Sequence, residues 1–519
     1  MDRWARSRVA LPALSGLILA VAYYLPLLAP NLVAFVPLLY WLERHPDAGA
    51  WSRVRAGLVF GLVCHALTLH FLLWLTRFTW LAVLLYVGLL FALAAKISLI
   101  FALAGRLRRR TGLSWGLVLP ACWIPFEWFQ SFGDLRLTHD QVAYSLSGYP
   151  FLIQFADLAG GYGVGAVLLA VNGLIHDAWL GGSATRRRRA AAALALVVAA
   201  VLGYDTWAWF RPLPDSGTMK VAVVQPDIPL LMKHDPETDL EQEQRLADLT
   251  RRAAADHPTL IVWPETARPR TLYHWLDRPE TYAAPDLQAL AMRSDAWLLS
   301  GIDYVRVRTR DDWELYNAAV LVDPRGRLLD RWVAKVDLVP FAEALPFRSL
   351  LGPLVEGRGG DWDWVTGGFS PGTPGEVLDL DGTPIGVLVC YEQMFPDLAR
   401  GLRRAGARLQ VVITNDAWFG RTPFQRYQAD ALRLRAIENR SSFVRAANTG
   451  ISGFVDPWGR LHEATPLYTE AVIEGEVRLA GPPTVYDRFG DLAAWSMVTL
   501  LVGLVGLDLA TQRRGIRRG

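Results

Sequence analysis

Apolar residues are concentrated in the first two-fifths of this 519-residue chain and again near its C-terminus. A helix that crosses the hydrocarbon of a bilayer needs about 20 mainly apolar residues. Runs of about this length lie at residues 10 to 29, 57 to 75, 79 to 104, 113 to 131, 158 to 180, 189 to 209 and 491 to 510, and a shorter Pro-flanked run lies at 29 to 42. The pattern predicts a membrane protein with eight spans.

The middle of the chain has a different pattern, in which short apolar runs alternate with amphipathic stretches. The apolar runs include MKVAVVQPD (219 to 227), TLIVWPE (259 to 265), AWLLSGIDYV (296 to 305) and TPIGVLVCYE (383 to 392). Near-continuous apolar strands between helices favour an α/β fold whose sheets are covered by helices. We therefore expect a transmembrane domain over 1–211 with about seven spans, a catalytic domain over 212–488, and a C-terminal transmembrane helix with a basic tail over 489–519.

Basic residues gather in five clusters between the apolar runs, and such clusters stay on the cytoplasmic side of a membrane. The clusters lie at residues 3 to 8, 53 to 55, 106 to 110, 186 to 189 and 513 to 518. Threading eight spans in order places all five on one side. The same threading puts 212–488 on the opposite, extracytoplasmic side.

Composition and residue spacing give no candidate metal or cofactor site. The chain has 20% charged residues and a net charge of +3, and we predict no nucleic-acid partner. No Cys/His cluster has zinc-like spacing and no Gly-rich phosphate loop is present, so we expect no metal and no cofactor. Of the three cysteines, Cys64 and Cys122 lie in predicted spans, which leaves Cys390 as the one thiol of the polar region.

Three reactive side chains follow predicted strands of the polar region: Glu265, Lys335 and Cys390. Side chains at the carboxyl ends of strands point into the crevice where α/β proteins bind their ligands. A thiolate can attack a carbonyl, a carboxylate can take the thiol proton, and an ammonium can stabilise the oxyanion that develops, together with the backbone N–H of Tyr391. Each residue alone has an ordinary structural explanation, but the combination favours acyl transfer.

The motifs that contain these residues resemble those of the nitrilase superfamily: WPE (263 to 265), KVDLVPFAEALPF (335 to 347) and CYE (390 to 392). The flanking spans, with NDAWFG (415 to 420), RAIENR (435 to 440) and RAANTGIS (445 to 452), are similar to its membrane-embedded branch, the apolipoprotein N-acyltransferases. The resemblance implies a multi-span α-helical membrane domain and a nitrilase-like αββα sandwich outside the cytoplasm. It also implies the bacterial inner membrane, with the catalytic domain on the periplasmic side.

The resemblance further implies a two-step reaction. Cys390 would take an acyl chain from a phospholipid as a thioester, and the N-terminal amine of a diacylglyceryl-cysteine apolipoprotein would accept it. Glu265 would be the general base, Lys335 the oxyanion partner and Glu343 a further essential carboxylate. The residues implied to line or brace the pocket are Tyr391, Glu392, Asn317, Asn415 and Trp418.

Some positions depart from the family pattern. His234 stands where a Trp is common, and the stretch 423 to 433 lacks the usual His. Two other functions stay open at this point: a membrane-anchored amidase that hydrolyses a small C–N substrate, and a non-catalytic scaffold that only binds lipoproteins.

Overall fold

The computed structural model describes residues 9–46, 48–233, 235–355, 357–358 and 367–516, so His234 lies outside the described residues. The chain divides into two compact units. The first contains Met1–Arg211 and Phe489–Gly519, and the second contains Pro212–Arg488.

The first unit is built from helices. Its helices are α1 (Ala10–Tyr24), α2 (Leu28–Val33), α3 (Val36–Arg44), α4 (Ala50–Thr68), α5 (Leu81–Thr111), α6 (Trp115–Phe129), α7 (Ala156–Leu180), α8 (Ala184–Phe210) and a C-terminal helix (Leu492–Ile516). Among the described residues, α5, α7, α8 and the C-terminal helix are each long and apolar enough to cross a membrane. A fifth candidate is α4 together with the 3₁₀ helix His70–Arg77, which is bent from it by 49°. These apolar helices agree with the predicted membrane domain.

The remaining apolar runs form shorter helices than their sequence length predicts. The first run ends as a helix at Tyr24, just before Leu25 and Pro26, and the residue before a proline is disfavoured in helical conformation. The weak run at 29 to 42 divides into α2 and α3 rather than forming one helix. The run at 113 to 131 forms the 15-residue α6, which contains Pro120 and Pro125.

Two ionisable side chains within the helical unit, Lys96 and Glu127, have polar partners. Lys96 Nζ lies 2.5 Å from Asp140 Oδ2 and donates to Gln130 Oε1 at 2.6 Å. Glu127 Oε1 accepts from the indole N–H of Trp123 at 2.6 Å and from a backbone N–H at 2.8 Å. An unpaired ionisable group in hydrocarbon is costly, and these contacts satisfy two such groups.

The second unit contains two sheets. Its strands are β1 (Thr218–Gln225), β2 (Leu260–Val262), β3 (Leu272–Trp275), β4 (Trp297–Thr309), β5 (Asp312–Val322), β6 (Val333–Ala334), β7 (Val377–Leu380), β8 (Thr383–Val389), β9 (Leu409–Thr414), β10 (Phe443–Ala447), β11 (Gly453–Val455), β12 (Leu461–His462) and β13 (Ala471–Arg478). One sheet has the order β13-β1-β2-β4-β5-β6, with β3 also paired to β4, and the other has the order β12-β11-β10-β9-β8-β7. The central pairs β1/β2, β2/β4, β8/β9 and β9/β10 are parallel.

Helices cover the outer faces of both sheets. The helices of this unit are α9 (Leu230–Lys233), α10 (Asp239–Ala253), α11 (Pro285–Ser294), α12 (Arg348–Val355), α13 (Pro396–Arg404), α14 (Phe424–Asn439) and α15 (Val485–Phe489). One buried cluster joins α10 and α11 to the first sheet, a second joins α13 and α14 to the other sheet, and a third fills the space between the sheets. These four layers confirm the predicted αββα sandwich.

Candidate active site

Three strands end where the sequence analysis placed reactive residues. Glu265 follows β2 by three residues, Lys335 directly follows β6, and Cys390 directly follows β8. All three side chains are buried. The two sheets therefore contribute to one site from the ends of their strands.

The carboxylate of Glu265 is held by two donors. Its Oε1 accepts from the side-chain amide of Asn317 at 2.7 Å, and its Oε2 accepts from the backbone N–H of Asn415 at 2.8 Å. Asn415 is itself fixed, because its Oδ1 accepts from Asn448 at 3.0 Å. Asn317 and Asn415 thus orient one carboxylate from two different sheets.

Lys335 lies between two carboxylates. Its Nζ is 2.7 Å from Glu343 Oε1 and 3.8 Å from Glu265 Oε1. Burial alone would lower the pKa of Lys335, but the charges of Glu343, the Cys390 thiolate and Glu265 raise it above its usual value. Lys335 therefore carries a positive charge beside Cys390 at neutral pH. The other oxygen of Glu343 accepts from the backbone N–H of Val339 at 2.8 Å, which fixes the carboxylate in turn.

Cys390 has a strained backbone. Its φ is +57°, in the left-handed region that non-glycine residues rarely adopt. Burial raises the pKa of its thiol, the charge of Glu265 raises it further, and Lys335 and the hydroxyl of Thr414 act in the opposite direction. The net effect is upward, so the resting thiol is protonated at neutral pH and requires a base before it can attack.

A chain of side chains holds the strained Cys390 backbone. Gln393 donates to the carbonyl oxygen of Cys390 at 2.9 Å, and Arg445 Nε donates to Gln393 Oε1 at 3.0 Å. Arg445 also contacts Asp416 Oδ2 at 3.0 Å, and Thr414 donates to Asp416 Oδ1 at 2.8 Å. Cys390 is thereby connected to the end of β9 and to the middle of β10.

Glu392 connects the Cys390 turn to the Lys335 segment. Its Oε2 accepts from the backbone N–H of Val389 at 2.7 Å, while its Oε1 accepts from Val336 and Asp337 at 2.6 and 3.0 Å. All three bonds go to backbone, so the geometry of Glu392 is that of a brace between two segments.

Two further predicted residues lie on the same turns. Tyr391 is half-buried next to Cys390, and its ring packs edge-on against Phe395 with centroids 4.8 Å apart. Trp418 is half-buried in the 3₁₀ helix Asp416–Phe419, three residues beyond Asn415. Eight of the nine predicted site residues therefore lie at strand ends or on the segments that follow them, and Asn317 lies within β5.

Several residues of the site have no signal in the sequence analysis. Lys233, in the short helix α9, donates through Nζ to the backbone carbonyl of Glu265 at 2.8 Å. Burial lowers the pKa of Lys233 to about 8 and raises the pKa of Asp303, on β4, to about 6. Arg445 and Asp416 stand in motifs that the sequence analysis names, but the motifs do not reveal that they support Cys390.

The described residues contain no group of three or more His, Cys, Asp or Glu side chains that could hold a metal ion. The charged groups around Cys390 instead pair with one another: Glu265, Lys335 and Glu343.

Family models match both units. The carbon-nitrogen hydrolase model matches residues 220–481, and the apolipoprotein N-acyltransferase N-terminal domain model matches residues 15–174. Among solved structures, a carbon-nitrogen hydrolase from Helicobacter pylori is 16% identical, covers 55% of this chain and 94% of that chain, and has a TM-score of 0.37. The matched models, with the Cys-Glu-Lys site, define a membrane enzyme of the carbon-nitrogen hydrolase class.

Proteins that are similar along most of the chain identify a family within this class. An apolipoprotein N-acyltransferase from Geobacter metallireducens is 34% identical over 96% of this chain and 94% of its own length. A protein of the same name from Gloeobacter violaceus is 31% identical over 93% of this chain and 91% of its own length. Another from Chlorobaculum tepidum is 29% identical over 97% of this chain and 97% of its own length. The chain belongs to the apolipoprotein N-acyltransferase family, and it is an acyltransferase.

Proposed function

We propose that this enzyme transfers a fatty acyl chain from a phospholipid to the N-terminal amine of a diacylglyceryl-cysteine apolipoprotein, through a thioester on Cys390. The observation that carries the proposal is the strained, buried Cys390 with Lys335 and Glu265 around it. The family match along the whole chain supports the lipid substrates.

In the first half-reaction, Glu265 takes the proton of the Cys390 thiol and the sulfur attacks an ester carbonyl of the phospholipid. Lys335 and the backbone N–H of Tyr391 stabilise the oxyanion. The ester C–O bond breaks, and Glu265 returns its proton to the departing alkoxide. The products are a thioester and a lysophospholipid.

In the second half-reaction, the acceptor amine attacks the thioester carbonyl. The C–S bond breaks, the amine proton passes to Glu265, and Glu265 returns it to the thiolate of Cys390. Moving a proton between Cys390 and Glu265 leaves the summed charge of Glu265, Glu343, Lys335 and Cys390 unchanged. This is favourable in a buried site, where unbalanced charge is costly.

The distribution of basic residues supports a location in the bacterial inner membrane with the catalytic unit on the periplasmic side. The five clusters fall on one side when eight apolar segments are threaded in order. Both substrates are lipids, so a site on the opposite side of this membrane lets them arrive laterally without exposing their chains to water. An amidase that hydrolyses a small substrate needs neither the helical unit nor this location.

The experiment is to incubate the purified enzyme in detergent with an acyl-labelled phospholipid and to analyse its peptides by mass spectrometry. We expect the acyl group on the Cys390 peptide, with an equal amount of lysophospholipid released. Cys390→Ala abolishes both, whereas Cys64→Ser and Cys122→Ser, which change the two buried cysteines of the helical unit, retain both. A wild-type enzyme that carries no acyl group, or that releases ammonia from small amides without lipid, contradicts the proposal.

A further inference from the structure

Two buried acceptor oxygens lie in the catalytic unit without a donor. Among the described residues, neither Asp303 Oδ1 nor Asn317 Oδ1 has a hydrogen-bond partner. The amide of Asn317 is oriented by its NH₂ group, which is 2.7 Å from Glu265 Oε1 and 3.4 Å from Glu343 Oε1. A buried acceptor without a donor costs about 1–3 kcal/mol, so a ligand that donates to both oxygens would be stabilised here.

The sheet register places these two residues side by side. Asp303 on β4 is directly opposite Asn317 on β5 in an antiparallel pair. Residues that are directly opposite in such a pair point to the same face of the sheet. Leu299 and Ala319 lie an even number of residues from Asp303 and Asn317 on the same strands, so they point to the same face. Both belong to the cluster between the two sheets, as does Cys390. Asp303 and Asn317 therefore both belong to the face of the sheet that carries the catalytic site.

The backbone of Glu265 lies on this same face, against β4. A Cβ atom on Gly301 would come within 2.4 Å of the Pro264 carbonyl oxygen and 2.7 Å of Glu265 Cα. Asp303 is two residues farther along β4, which corresponds to about 7 Å between Cα atoms. Asp303 is thus a close neighbour of the general base proposed above, and the residue as a whole is half-buried although its Oδ1 oxygen is buried.

The charges around these oxygens favour a cationic ligand. The carboxylates are Glu265, Glu343 and Asp303, and the cations are Lys233 and Lys335, so ionised carboxylates exceed cations by one. No ion pair involving Asp303 is formed within the described part of the chain, although the charge of Lys233 acts on it. A primary ammonium supplies up to three N–H donors and the missing positive charge.

We propose that Asp303 and the Asn317 Oδ1 oxygen form an ammonium site that receives the α-amine of the acceptor. This inference rests on the proposed function and names the residues that recognise its second substrate. The α-ammonium passes one proton to the Asp303 carboxylate. The neutral amine then attacks the thioester, and its second proton goes to Glu265. Asp303 finally releases its proton to solvent.

A phosphatidylethanolamine head group presents the same ammonium chemistry, so the test separates the two sources. The thioester enzyme is formed from phosphatidylethanolamine in one arm and from phosphatidylglycerol in the other, and lysophospholipid release is timed. The acyl-enzyme is then chased with a diacylglyceryl-cysteine peptide at varied concentration, or with hydroxylamine, which is uncharged at neutral pH. The variants are Asp303→Asn and Asp311→Asn, the latter removing an exposed carboxylate from the same hairpin.

For Asp303→Asn we expect transfer to the peptide to slow about tenfold, with a higher KM for the peptide, because a hydrogen-bonded charge pair contributes about this much. Thioester formation from either phospholipid and the hydroxylamine chase change less than threefold on the same scale. Asp311→Asn matches the wild type in every assay. A tenfold loss confined to thioester formation from phosphatidylethanolamine assigns the site to the donor and overturns the proposal.

Equal transfer rates in wild type and Asp303→Asn, or equal losses with the peptide and with hydroxylamine, also overturn it. If the wild-type enzyme itself forms no thioester, the proposed function fails rather than this inference.

Discussion

The proton of a single thiol governs the chemistry at the scale of residues. The pKa of Cys390 is raised by burial and by the charge of Glu265, so the carboxylate that we propose as the general base also opposes ionisation of the thiol at rest. Glu265 is fixed by Asn317 and by the backbone of Asn415 and is not free to swing away. Replacing this one carboxylate therefore affects catalysis and thiol reactivity in opposite directions.

Glu265→Gln is expected to slow thioester formation by about 100-fold or more, the usual contribution of a positioned general base. The same change removes a negative charge that raises the thiol pKa, so alkylation of Cys390 by iodoacetamide at neutral pH becomes faster than in the wild type. Mass spectrometry of the Cys390 peptide measures both quantities. Glu241→Gln, which removes an exposed carboxylate on α10, should alter neither. Slower alkylation in Glu265→Gln than in the wild type would contradict the effect of this charge on the thiol pKa.

Gly301 is expected to be a positioning residue for Glu265. The Cβ of Gly301→Ala would lie 2.4 Å from the Pro264 carbonyl oxygen, a contact that forces backbone to move. Since the carboxylate of Glu265 must stay in place to within a fraction of an ångström, we expect at least about a tenfold loss of transfer rate.

Gly401→Ala is the matched control, because a Cβ at Gly401 in α13 meets no atom within 4 Å. Ala also favours a helix over Gly by about 1 kcal/mol. This control should keep full activity and a slightly higher Tm. Full activity in Gly301→Ala would contradict the close packing of β4 on Glu265.

At the scale of elements, the 3₁₀ turn that follows β8 depends on residues from neighbouring strands. Gln393 in this turn is held by Arg445 from β10, and Arg445 pairs with Asp416, which follows β9. All three side chains are fully buried. The strained backbone of Cys390 is therefore maintained by a network rather than by local sequence.

Arg445→Met is expected to lower the free energy of unfolding by about 3–5 kcal/mol, because it leaves Asp416 as a buried charge without its partner. Thermal or denaturant unfolding measures the loss, and thioester formation should fall in the variant that still folds at low temperature. Arg251→Met, which removes an exposed arginine paired with Asp248, is the control and should keep the wild-type Tm. A Tm loss no larger than that of the control would contradict the role of this network.

The sequence predicts which reactive residues follow strands, but not which residues of other elements lie near them. Glu265 and Cys390 are predictable because each ends an apolar run, and apolar runs are the strongest strand signal. Asp303 and Lys233 are not predictable, since their proximity to Glu265 depends on the pairing of β4 with β5 and on the placement of α9. The role of Glu392 is suggested only by the family resemblance, because all its partners are backbone N–H groups of folded segments.

At the scale of the whole molecule, apolar length predicts the membrane character of the helical unit but not the helix ends. The first helix ends at Tyr24, two residues before Pro26, and α6 has only 15 residues. α4 bends before His70, where a single apolar run suggests one helix. The basic clusters at one side of the threaded apolar segments are read from the sequence and do not depend on the helix ends. They lead to a prediction about the location of the catalytic unit.

We expect Asp311→Cys, exposed on the β4–β5 hairpin, to react with a membrane-impermeant maleimide in intact spheroplasts. Gly182→Cys, next to the basic residues 186 to 189, should react only after the membrane is opened, because basic clusters stay on the cytoplasmic side of a membrane. The three native cysteines are buried, so each variant has one exposed thiol among the described residues. The reverse labelling pattern would place the catalytic unit in the cytoplasm and contradict the topology proposed here.

The most direct test of acyl transfer through Cys390 is a single-turnover chase of the isolated acyl-enzyme. Enzyme that carries a labelled acyl chain on Cys390 is mixed with unlabelled phospholipid and a diacylglyceryl-cysteine peptide, and the first amide product is analysed by mass spectrometry. We expect this product to carry the labelled chain, in an amount equal to the thioester consumed. An unlabelled product formed while the label stays on Cys390 would contradict transfer through the thioester.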